Sequence, residues 1–260
     1  MDTTNQTALI TGAGNGIGRA IAIAMGENQR NVVCADIDLD AAQITANTIR
    51  QLGVEATAVR VDVGETLQIS EMIQEVKEEF GRLDILVNNA GVTRAADIME
   101  LTEVDWDRIH RVNAKGVFFC LQGAAKQMIE QNNGGRIINI ASIAGRGFVG
   151  TSNAAYSASK GAVISLTKTA AQQLARHDIT VNSICPGVTT TEIVEDLVKA
   201  RAEAKGISLD DMVKEMTDNI PLKRANDPED ISAMAIFLAS KGARNITGQS
   251  YNVDGGLVTS

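Results

Sequence analysis

Seven short apolar segments alternate along the chain with longer segments of helical periodicity, and this alternation limits the fold more than any other feature. Most of the seven are nearly continuous apolar runs, which is typical of parallel strands covered by helices on both faces. The helical segments between them then serve as crossovers. The sequence therefore predicts an α/β fold, a doubly wound parallel sheet of seven strands with helices on both faces. The predicted strands are Thr7 to Thr11, Asn31 to Asp36, Glu55 to Asp62, Leu83 to Asn88, Arg136 to Ser142, Thr180 to Cys185 and Gln249 to Val253.

The length and composition are compatible with one globular domain. Single α/β domains commonly reach the 260 residues of this chain, and hydrophobic residues make up 44% of them, which allows a sizeable core. Only 3 prolines occur, and no Ser/Pro-rich stretch or single-sign charge run indicates a linker. We therefore expect a single domain over residues 1–260.

The charge balance argues against several classes of partner. Lys and Arg number 24 against 32 Asp and Glu, and the net charge of −8 is the wrong sign for neutralising nucleic-acid phosphates or anionic lipid. The first residues, MDTTNQTALI, contain no basic segment followed by an apolar stretch, and no apolar run reaches the ~18 residues that span a bilayer. We expect no nucleic-acid partner, no membrane association and a cytoplasmic location.

The three cysteines do not suggest a disulfide framework or a metal site. Cys34, Cys120 and Cys185 are odd in number, scattered, and set among apolar neighbours. Cysteines in such surroundings are usually reduced thiols of the core. We therefore expect three reduced thiols and no bound metal.

Polar residues and glycines follow six of the predicted strands. Ligands of doubly wound sheets bind beyond the carboxyl ends of the strands, so residues at these positions are candidates for chemistry. One such strand end could be ordinary turn chemistry, but six of them predict a long cleft. They are Thr11-Gly12, Asp36, Asp62, Asn88-Asn89-Ala90-Gly91, Ser142 and Pro186-Gly187.

The first predicted strand leads into a glycine-rich stretch, TGAGNGIGRA at residues 11 to 20, and a helical pattern follows. The spacing is Gly12-x-x-x-Gly16-x-Gly18 rather than Gly-x-Gly-x-x-Gly, but either pattern serves the same physics. Glycine allows the backbone to approach a pyrophosphate closely, and the N–H groups at the start of the helix favour its negative charge. Taken alone, the pattern also fits a strand-to-helix turn without a ligand.

Asp36 indicates which nucleotide would bind. It lies 18 residues after Gly18, at the end of the second strand, where a carboxylate can accept hydrogen bonds from both hydroxyls of an adenosine ribose. A 2′-phosphate would be repelled, and no Arg or Lys occupies the positions next to Asp36 to compensate. A solvated aspartate at a strand end is the alternative. Together with the glycine turn, Asp36 predicts a Rossmann-type dinucleotide site that prefers NAD over NADP.

The segment NAAYSASKGA, residues 153 to 162, suggests acid–base chemistry. Tyr156 and Lys160 are four residues apart on a predicted helix, so both side chains leave the same face. An adjacent ammonium favours the phenolate, so we expect the pKa of Tyr156 to fall from its ordinary value near ~10 toward the range of a useful general base. The helix follows the strand that ends at Ser142, whose hydroxyl could bind a substrate oxygen or serve only as a cap.

These motifs together resemble those of the short-chain dehydrogenase/reductase family. The resemblance covers essentially the whole chain, and the order and spacing of its motifs are highly specific. It implies hydride transfer between a nicotinamide ring and a carbon that bears a hydroxyl or carbonyl group. The motifs are TGAGNGIG at 11 to 18, NNAG at 88 to 91, Asn113 in RVNAKG, Ser142 in NIAS, YSASK at 156 to 160 and PGVTTT at 186 to 191.

The resemblance also implies a role for each matching residue. Tyr156 would be the acid/base, Lys160 would lower its pKa and bind the nicotinamide ribose, and Ser142 would orient the substrate oxygen. Asn113 would hold a water that relays the proton through Lys160. The residues implied to bind the coenzyme are Gly12, Asn15, Gly16, Ile17 and Gly18 in the phosphate turn, Asp36 and Ile37 after the second strand, Asp62 and Val63 at the adenine, Asn89, Ala90 and Gly91 beside the ribose, Tyr156 and Lys160, and Pro186, Gly187, Thr189 and Thr191 at the carboxamide.

The predicted substrate is a small polar secondary alcohol, namely a polyol, a sugar derivative or a hydroxy acid. The loop at residues 143 to 155 supplies few aromatic side chains beyond Phe148, which disfavours a steroid or a long acyl chain. Arg146, Asn153 and Arg94 offer donors for hydroxyl or anionic groups. The C-terminal half is similar to that of polyol dehydrogenases of the family.

A helical substrate lid is predicted at about residues 190–220, where two charged helical stretches are separated by Gly206. Family members are commonly tetramers, so we expect a homotetramer.

Two alternative functions stay open. One is an NADPH-dependent 3-oxoacyl-thioester reductase, which NNAG with Thr93-Arg94 also resembles and Asp36 disfavours. The other is a non-catalytic dinucleotide-binding module, which the complete set of four catalytic residues disfavours.

Overall fold

The computed structural model describes residues 6–148, 152–191, 198–199, 202–203 and 205–259. The seven predicted strands are confirmed and form one parallel sheet in the order β3-β2-β1-β4-β5-β6-β7. Because all seven run the same way, their carboxyl ends meet at one edge. The strands are β1 (Thr7–Thr11), β2 (Asn31–Asp36), β3 (Ala56–Arg60), β4 (Ile85–Asn88), β5 (Gly135–Ile140), β6 (Ile179–Pro186) and β7 (Ser250–Val253).

Helices cover both faces of the sheet, as the sequence predicts. The helices of the described residues are α1 (Gly16–Glu27), α2 (Leu39–Arg50), α3 (Thr66–Phe80), α4 (Glu103–His110), α5 (Val117–Gln131), α6 (Ala154–Leu174), α7 (Leu209–Thr217) and α8 (Pro228–Ala239). A π-helical turn, Arg111–Gly116, joins α4 to α5, and a short 3₁₀ helix, Ile143–Arg146, follows β5.

Neighbouring residues of one strand serve different layers of the core. On β1, Ile10 packs in the layer that contains Ile21 of α1 and Leu238 of α8, whereas Leu9 packs in the layer that contains Met72 of α3. All five side chains are essentially inaccessible to solvent. This two-sided burial explains why the strands are continuous apolar runs instead of alternating ones.

Two predicted strands end earlier than the sequence suggests, because polar side chains form hydrogen bonds with nearby backbone N–H groups. The strand predicted to reach Ser142 ends at Ile140, and Ser142 Oγ accepts a hydrogen bond of 3.1 Å from the Ala144 N–H at the start of the 3₁₀ helix. The strand predicted to reach Asp62 ends at Arg60. Such local side-chain hydrogen bonds offer the backbone an alternative to a sheet ladder.

The predicted lid is only partly within the described residues. Residues 192–197, 200, 201 and 204 lie outside them. The second predicted stretch forms α7 after Gly206, which has a φ of +66°. Ser208 caps α7 by accepting the Asp211 N–H at 3.1 Å, and Met212 packs against Val198.

Candidate active site

The glycine turn between β1 and α1 has a backbone that only glycine permits at several positions. Gly12 has a φ of +66° and Gly16 a φ of +54°, both in the left-handed region. A Cβ on Gly18 would lie 2.0 Å from the carbonyl oxygen of Gly12. The Gly-x-x-x-Gly-x-Gly spacing is therefore needed for this strand-to-helix packing.

The start of α1 offers backbone donors to an anion. Its N-cap residue, Asn15, makes no side-chain hydrogen bond to the helix, and no acidic residue occupies the first turn, which contains Ile17. By contrast, the start of α2 is capped by the Asp38 carboxylate. The first N–H groups of a helix have no partner within it and carry the positive end of its dipole. The close glycine turn and this uncapped helix start fit the pyrophosphate of a dinucleotide.

The Asp36 carboxylate lies against the glycine turn. Its Oδ2 accepts the Gly14 N–H at 2.8 Å, and its Oδ1 accepts the Asp38 N–H at 3.0 Å. Each carboxylate oxygen can accept a second hydrogen bond, so both can still receive a ribose hydroxyl. Ile37, the next residue, is 61% exposed and can contact a ligand in the cleft.

Sequence reasoning missed a cation on the strand beside Asp36. Arg60 is the register partner of Asp36 on β3. Register partners on parallel strands direct their side chains to the same face of the sheet, so Arg60 lies on the Asp36 side. Its side chain is exposed and makes no hydrogen bond or ion pair with any other described residue. The pairing of β2 with β3 brings the two residues together although they are distant in the sequence.

The loop after β3 is tied to the π-helical turn. Asp62 Oδ1 accepts the Gly64 N–H at 2.8 Å, and Asp62 Oδ2 lies 3.0 Å from Arg111 Nη2. Arg111 Nη1 also pairs with Glu65 Oε1 at 2.6 Å. Val63 is buried in this loop. The adenine contacts of Asp62 and Val63 stay predictions, and the structure adds that their loop is joined to the element that carries Asn113.

The Asn-Asn-Ala-Gly turn after β4 is hydrogen-bonded to the end of β1 and the glycine turn. The N–H groups of Asn89 and Ala90 both donate to Thr11 Oγ1 at 3.1 Å. Asn89 Nδ2 also donates to the carbonyl oxygens of Thr11 and Gly12, each at 3.0 Å. Thr11, which the sequence marks only as a polar strand end, thus holds this turn through its hydroxyl. The coenzyme contacts of Asn89, Ala90 and Gly91 stay predictions.

The predicted carboxamide segment begins where β6 ends. Pro186 is the last residue of β6, and the Gly187 N–H donates to the Val253 carbonyl oxygen at 2.9 Å. A Cβ on Gly187 would lie 2.7 Å from Asp254 Cβ, so this position requires glycine because of close approach. The segment is therefore anchored on the end of β7.

The same segment then returns to the glycine turn. Thr189 forms a bridge with Asn226, whose Nδ2 donates to the Val253 carbonyl oxygen at 2.7 Å. Thr191 Cγ2 is 3.3 Å from the position that a Cβ on Gly16 would occupy. The structure thus brings the predicted phosphate and carboxamide segments together at the carboxyl edge of the sheet.

Three elements bring the four predicted catalytic residues together. Asn113 lies in the π-helical turn, Ser142 caps the 3₁₀ helix after β5, and Tyr156 and Lys160 lie one turn apart at the start of α6. The Ser142 hydroxyl is hydrogen-bonded to the Tyr156 phenol. Lys160 Nζ lies 5.7 Å from the centroid of the Tyr156 ring. The four side chains therefore form one cluster, and their catalytic roles stay predictions.

Burial dominates the acid–base properties of this cluster. It raises the pKa of Tyr156, and the hydrogen bond with Ser142 acts in the opposite direction. Burial also lowers the pKa of Lys160 to about 8. The net shift of the Tyr156 pKa is therefore opposite to the predicted fall, and the role of Lys160 in lowering this pKa stays a prediction. The Lys160 ammonium is itself desolvated, and it donates to the Ile140 carbonyl oxygen at 2.8 Å.

Asn113 and Lys160 border one small space beside Gly91. Asn113 is fully buried, and its Nδ2 and Oδ1 bond the Val92 carbonyl oxygen and N–H at 2.9 and 2.8 Å. A Cβ on Gly91 would lie 3.4 Å from Asn113 Oδ1 and 3.5 Å from Lys160 Nζ. Any side chain at position 91 would therefore enter the space between these two polar groups.

The three donors predicted for the substrate serve the protein itself. The Arg94 guanidinium forms a two-point ion pair with Asp105, both contacts at 2.6 Å. Asn153 caps α6 and donates to the Arg94 carbonyl oxygen at 2.7 Å. Arg146 donates to the Ser250 carbonyl oxygen. Each of these side chains therefore donates to an internal acceptor, and donation to a substrate stays a prediction.

The cysteines and the possible metal-ligand side chains were compared with the predictions over the described part of the chain. Cys34, Cys120 and Cys185 are buried and unpaired, as predicted. Burial raises the pKa of Cys34 and of Cys120 to about 12. Among the described residues, no three His, Cys, Asp or Glu side chains are grouped so as to hold a metal ion. None of the described helices has the length and apolar character needed to span a bilayer.

The chain matches known proteins over almost its whole length. A family model described as enoyl-(acyl carrier protein) reductase matches residues 12–258. The 3-oxoacyl-[acyl-carrier-protein] reductase FabG of Staphylococcus epidermidis is 42% identical over 255 residues, which cover 97% of this chain and 99% of that protein. The sorbitol dehydrogenase of Cereibacter sphaeroides is 40% identical over 259 residues, which cover 98% of each.

A solved structure shares the architecture as well. The crystal structure of NAD⁺-bound xylitol dehydrogenase superposes with a TM-score of 0.91 at 32% identity, covering 98% of this chain and 100% of that one. The similar proteins therefore include polyol dehydrogenases and a thioester reductase at comparable identity.

Proposed function

This chain belongs to the short-chain dehydrogenase/reductase family, and from that premise we propose that it transfers a hydride between NAD and a small polar secondary alcohol. The alcohol would be a polyol or a sugar derivative, and the product its ketone. The observation that carries the proposal is the cluster of Ser142, Tyr156 and Lys160 at the same sheet edge as the glycine turn and Asp36. The chain is an oxidoreductase of this family, and our proposal concerns the identity of its coenzyme and its substrate.

The coenzyme would be held by the residues that line this edge of the sheet. The start of α1, with Gly16, Ile17 and Gly18, would bind the pyrophosphate. Asp36 would accept the hydroxyls of the adenosine ribose, and Lys160 those of the nicotinamide ribose. The segment of residues 186–191, anchored on β7, would hold the carboxamide.

Each catalytic residue has a distinct task in the proposed reaction. A bound nicotinamide would supply the hydride acceptor for oxidation of the alcohol carbon and the hydride donor for reduction of the ketone. The Tyr156 phenolate oxygen takes the hydroxyl proton of the alcohol, and Ser142 Oγ orients the substrate oxygen beside it. Lys160 then passes this proton to a water, which Asn113 would hold in the space beside Gly91.

Two features support an uncharged polar substrate. Among the described residues 143–148 and 152–155, Phe148 is the single aromatic residue. This loop therefore does not provide an extended apolar wall. The Arg94 guanidinium is paired with the Asp105 carboxylate, which neutralises one of the cations that would attract a carboxylate. We therefore favour polyols and sugar derivatives over hydroxy acids. The lid at about 190–220, including α7, would close over this substrate.

A second candidate function is the reduction of a 3-oxoacyl thioester with NADPH. The 42% identity to the Staphylococcus epidermidis reductase favours it, and Arg60 beside Asp36 offers a positive charge for a 2′-phosphate. Against it stands Asp36 itself, whose carboxylate would face that phosphate. A non-catalytic dinucleotide-binding module is disfavoured because all four catalytic residues form one cluster.

A panel of substrates with both coenzymes tests the proposal. The panel contains polyols, sugar acids, hydroxy acids, an acetoacetyl thioester and a hydroxysteroid, compared by kcat/KM with NAD(H) and NADP(H). We expect a polyol or sugar derivative with NAD to give the highest value. A thioester with NADPH, or a steroid, at the top of the ranking would refute the proposed substrate. Binding of NADH without turnover of any compound would favour the non-catalytic module.

We further propose a cytoplasmic homotetramer. Large apolar side chains are exposed on two adjoining helices of the single chain, among them Val104 and Trp106 on α4 and Phe118 and Ile129 on α5. Exposed apolar side chains of this size often mark contacts between subunits. The proposed cytoplasmic location rests on the negative net charge and on the short apolar runs described in the sequence analysis. Fractionation of the native cell would test it.

A further inference from the structure

Ser159 lies inside the YSASK motif but has no role in the mechanism described above. Its side chain is fully buried on α6, between Tyr156 and Lys160 in sequence. The Ser159 hydroxyl donates to the Tyr156 carbonyl oxygen at 2.7 Å. Asn113 Nδ2 lies 3.1 Å from Ser159 Oγ. Ser159 therefore joins the turn of α6 that carries Tyr156 to the π-helical turn that carries Asn113.

The direction of the Ser159 hydrogen bonds follows from this arrangement. A hydroxyl has one proton, and here that proton is donated to the Tyr156 carbonyl oxygen. Toward Asn113, Ser159 Oγ can then act only as an acceptor. It must be met by the amide nitrogen of Asn113, since the carbonyl oxygen of that amide has no proton to give.

The other contacts of Asn113 agree with this direction. Its Nδ2 donates to the Val92 carbonyl oxygen at 2.9 Å, and its Oδ1 accepts the Val92 N–H at 2.8 Å. Both amide protons and one lone pair of Oδ1 are then used within the protein. A single acceptor position is left on Oδ1, the atom that borders the space between Gly91 and Lys160.

We propose that Ser159 is a positioning residue for the proton relay. Its hydroxyl oxygen holds the amide nitrogen of Asn113, so that Asn113 Oδ1 presents its remaining lone pair to a water beside Lys160 Nζ. Without the Ser159 oxygen, a buried amide proton loses its partner, and the Asn113 side chain is held by its two contacts with Val92 alone, so that its orientation is less well defined. The proposal rests on the proposed function, since it assumes that Asn113 and Lys160 relay the proton of Tyr156.

The same motif offers a matched control. Ser157 is two residues away on α6, and its hydroxyl donates to the Asn153 carbonyl oxygen at 3.1 Å without contacting Asn113. Ser157→Ala and Ser159→Ala remove the same atom from the same helix. A difference between them therefore reports the contact with Asn113 and not a general loss of helix stability.

The test is a double-mutant cycle in the direction of alcohol oxidation. We expect Ser159→Ala to lower kcat by about tenfold, with the Kd of NADH and the melting temperature close to wild type, because catalytic groups are sensitive to small displacements. In an Asn113→Ala background, Ser159→Ala should change kcat by less than about twofold, since a residue that acts through Asn113 has nothing left to position. Ser157→Ala should leave kcat unchanged in both backgrounds.

Two outcomes of the cycle would overturn the proposal. One is a Ser159→Ala protein with wild-type kcat. The other is an equal loss of kcat in the wild-type and Asn113→Ala backgrounds, which would show that Ser159 acts independently of Asn113. If Asn113→Ala itself keeps wild-type kcat, the relay of the proposed function is refuted, and with it the catalytic part of this proposal.

A readout without turnover separates the two proposals. In protein labelled with nitrogen isotope at asparagine, the side-chain amide resonances of Asn113 are identified by their loss in Asn113→Ala. We expect Ser159→Ala to shift these resonances and to speed their exchange with solvent, and Ser157→Ala to leave them in place. Unchanged resonances in Ser159→Ala would contradict the positioning contact even if the proposed function holds.

Discussion

At the scale of single residues, the phenol of Tyr156 is the group on which the proposed chemistry depends most. Tyr156→Phe should lower kcat by at least about 10²-fold, because it removes the general acid–base group while keeping the ring. Binding of NADH should change little, which fluorescence titration can measure. The chain has one other tyrosine, Tyr251 on β7, and Tyr251→Phe is the matched control. More than about a tenth of wild-type kcat in Tyr156→Phe would mean that the role is misassigned.

The direction of the reaction should depend on pH. Burial raises the pKa of Tyr156, so the phenolate needed for oxidation forms only at alkaline pH, whereas reduction needs the protonated phenol. The kcat/KM of alcohol oxidation should therefore rise between about pH 7 and pH 10, and that of ketone reduction should not. Profiles measured in both directions on one substrate pair test this. An oxidation optimum below neutral pH would contradict it.

We expect Asp36 and Arg60 to act in opposite directions on the choice between NAD and NADP. Asp36→Ala should narrow the preference for NAD, because it removes both the ribose acceptor and the charge that repels a 2′-phosphate. Arg60→Ala should widen it, since the neighbouring positive charge is lost. The ratio of kcat/KM for NAD and NADP measures both effects. Asp40→Ala, on the exposed first turn of α2, is a control for a general change in charge. A wild-type preference for NADP would refute the assignment.

At the scale of elements, the π-helical turn connects the two ends of the coenzyme site. Arg111 reaches Asp62 and Glu65, and Lys115 Nζ donates to the Gly64 carbonyl oxygen at 3.2 Å. These contacts flank Asn113 on both sides. π-helical turns are often found at functional sites. Here the turn orients Asn113, the residue proposed to hold the relay water, and fixes the loop after β3 at the same time.

The space beside the turn after β4 gives a prediction at this scale. An alanine at Gly91 would make ordinary contacts of 3.4 and 3.5 Å with Asn113 Oδ1 and Lys160 Nζ, so Gly91→Ala should fold normally. Its methyl group would occupy the room for the relay water, and kcat should fall about tenfold or more while the melting temperature is kept. Gly242→Ala, remote from the site, is the control. Undiminished kcat in Gly91→Ala would argue against a water at this point.

At the scale of the whole molecule, the exposed apolar residues of α4 and α5 predict association. Light scattering should give a mass of four times the chain mass of 27.5 kDa. Phe118→Glu should reduce this mass, because a charge buried in an apolar contact is costly. Leu67→Glu, which places the same charge on an exposed position of α3, should not. A monomeric wild-type protein would contradict the proposed tetramer.

The sequence alone determined the class of fold and most of the candidate site. The seven strands are recognisable because each is a continuous apolar run, and burial of β1 on both faces is the physical cause of that pattern. The glycine spacing at 11–18 is recognisable because Gly12 and Gly18 have no room for a side chain. Both signals are local, since they depend on residues that are neighbours in the chain.

Only the tertiary structure decided which distant residues meet and what each polar side chain bonds. Arg60 lies beside Asp36 because β3 pairs with β2, and Ser159 meets Asn113 because α6 packs on the π-helical turn. Arg94 is paired with Asp105, a contact that its position in the sequence does not indicate. Burial likewise reversed the expected direction of the Tyr156 pKa. Pairing, packing and desolvation depend on the whole fold, and no local pattern in the sequence records them.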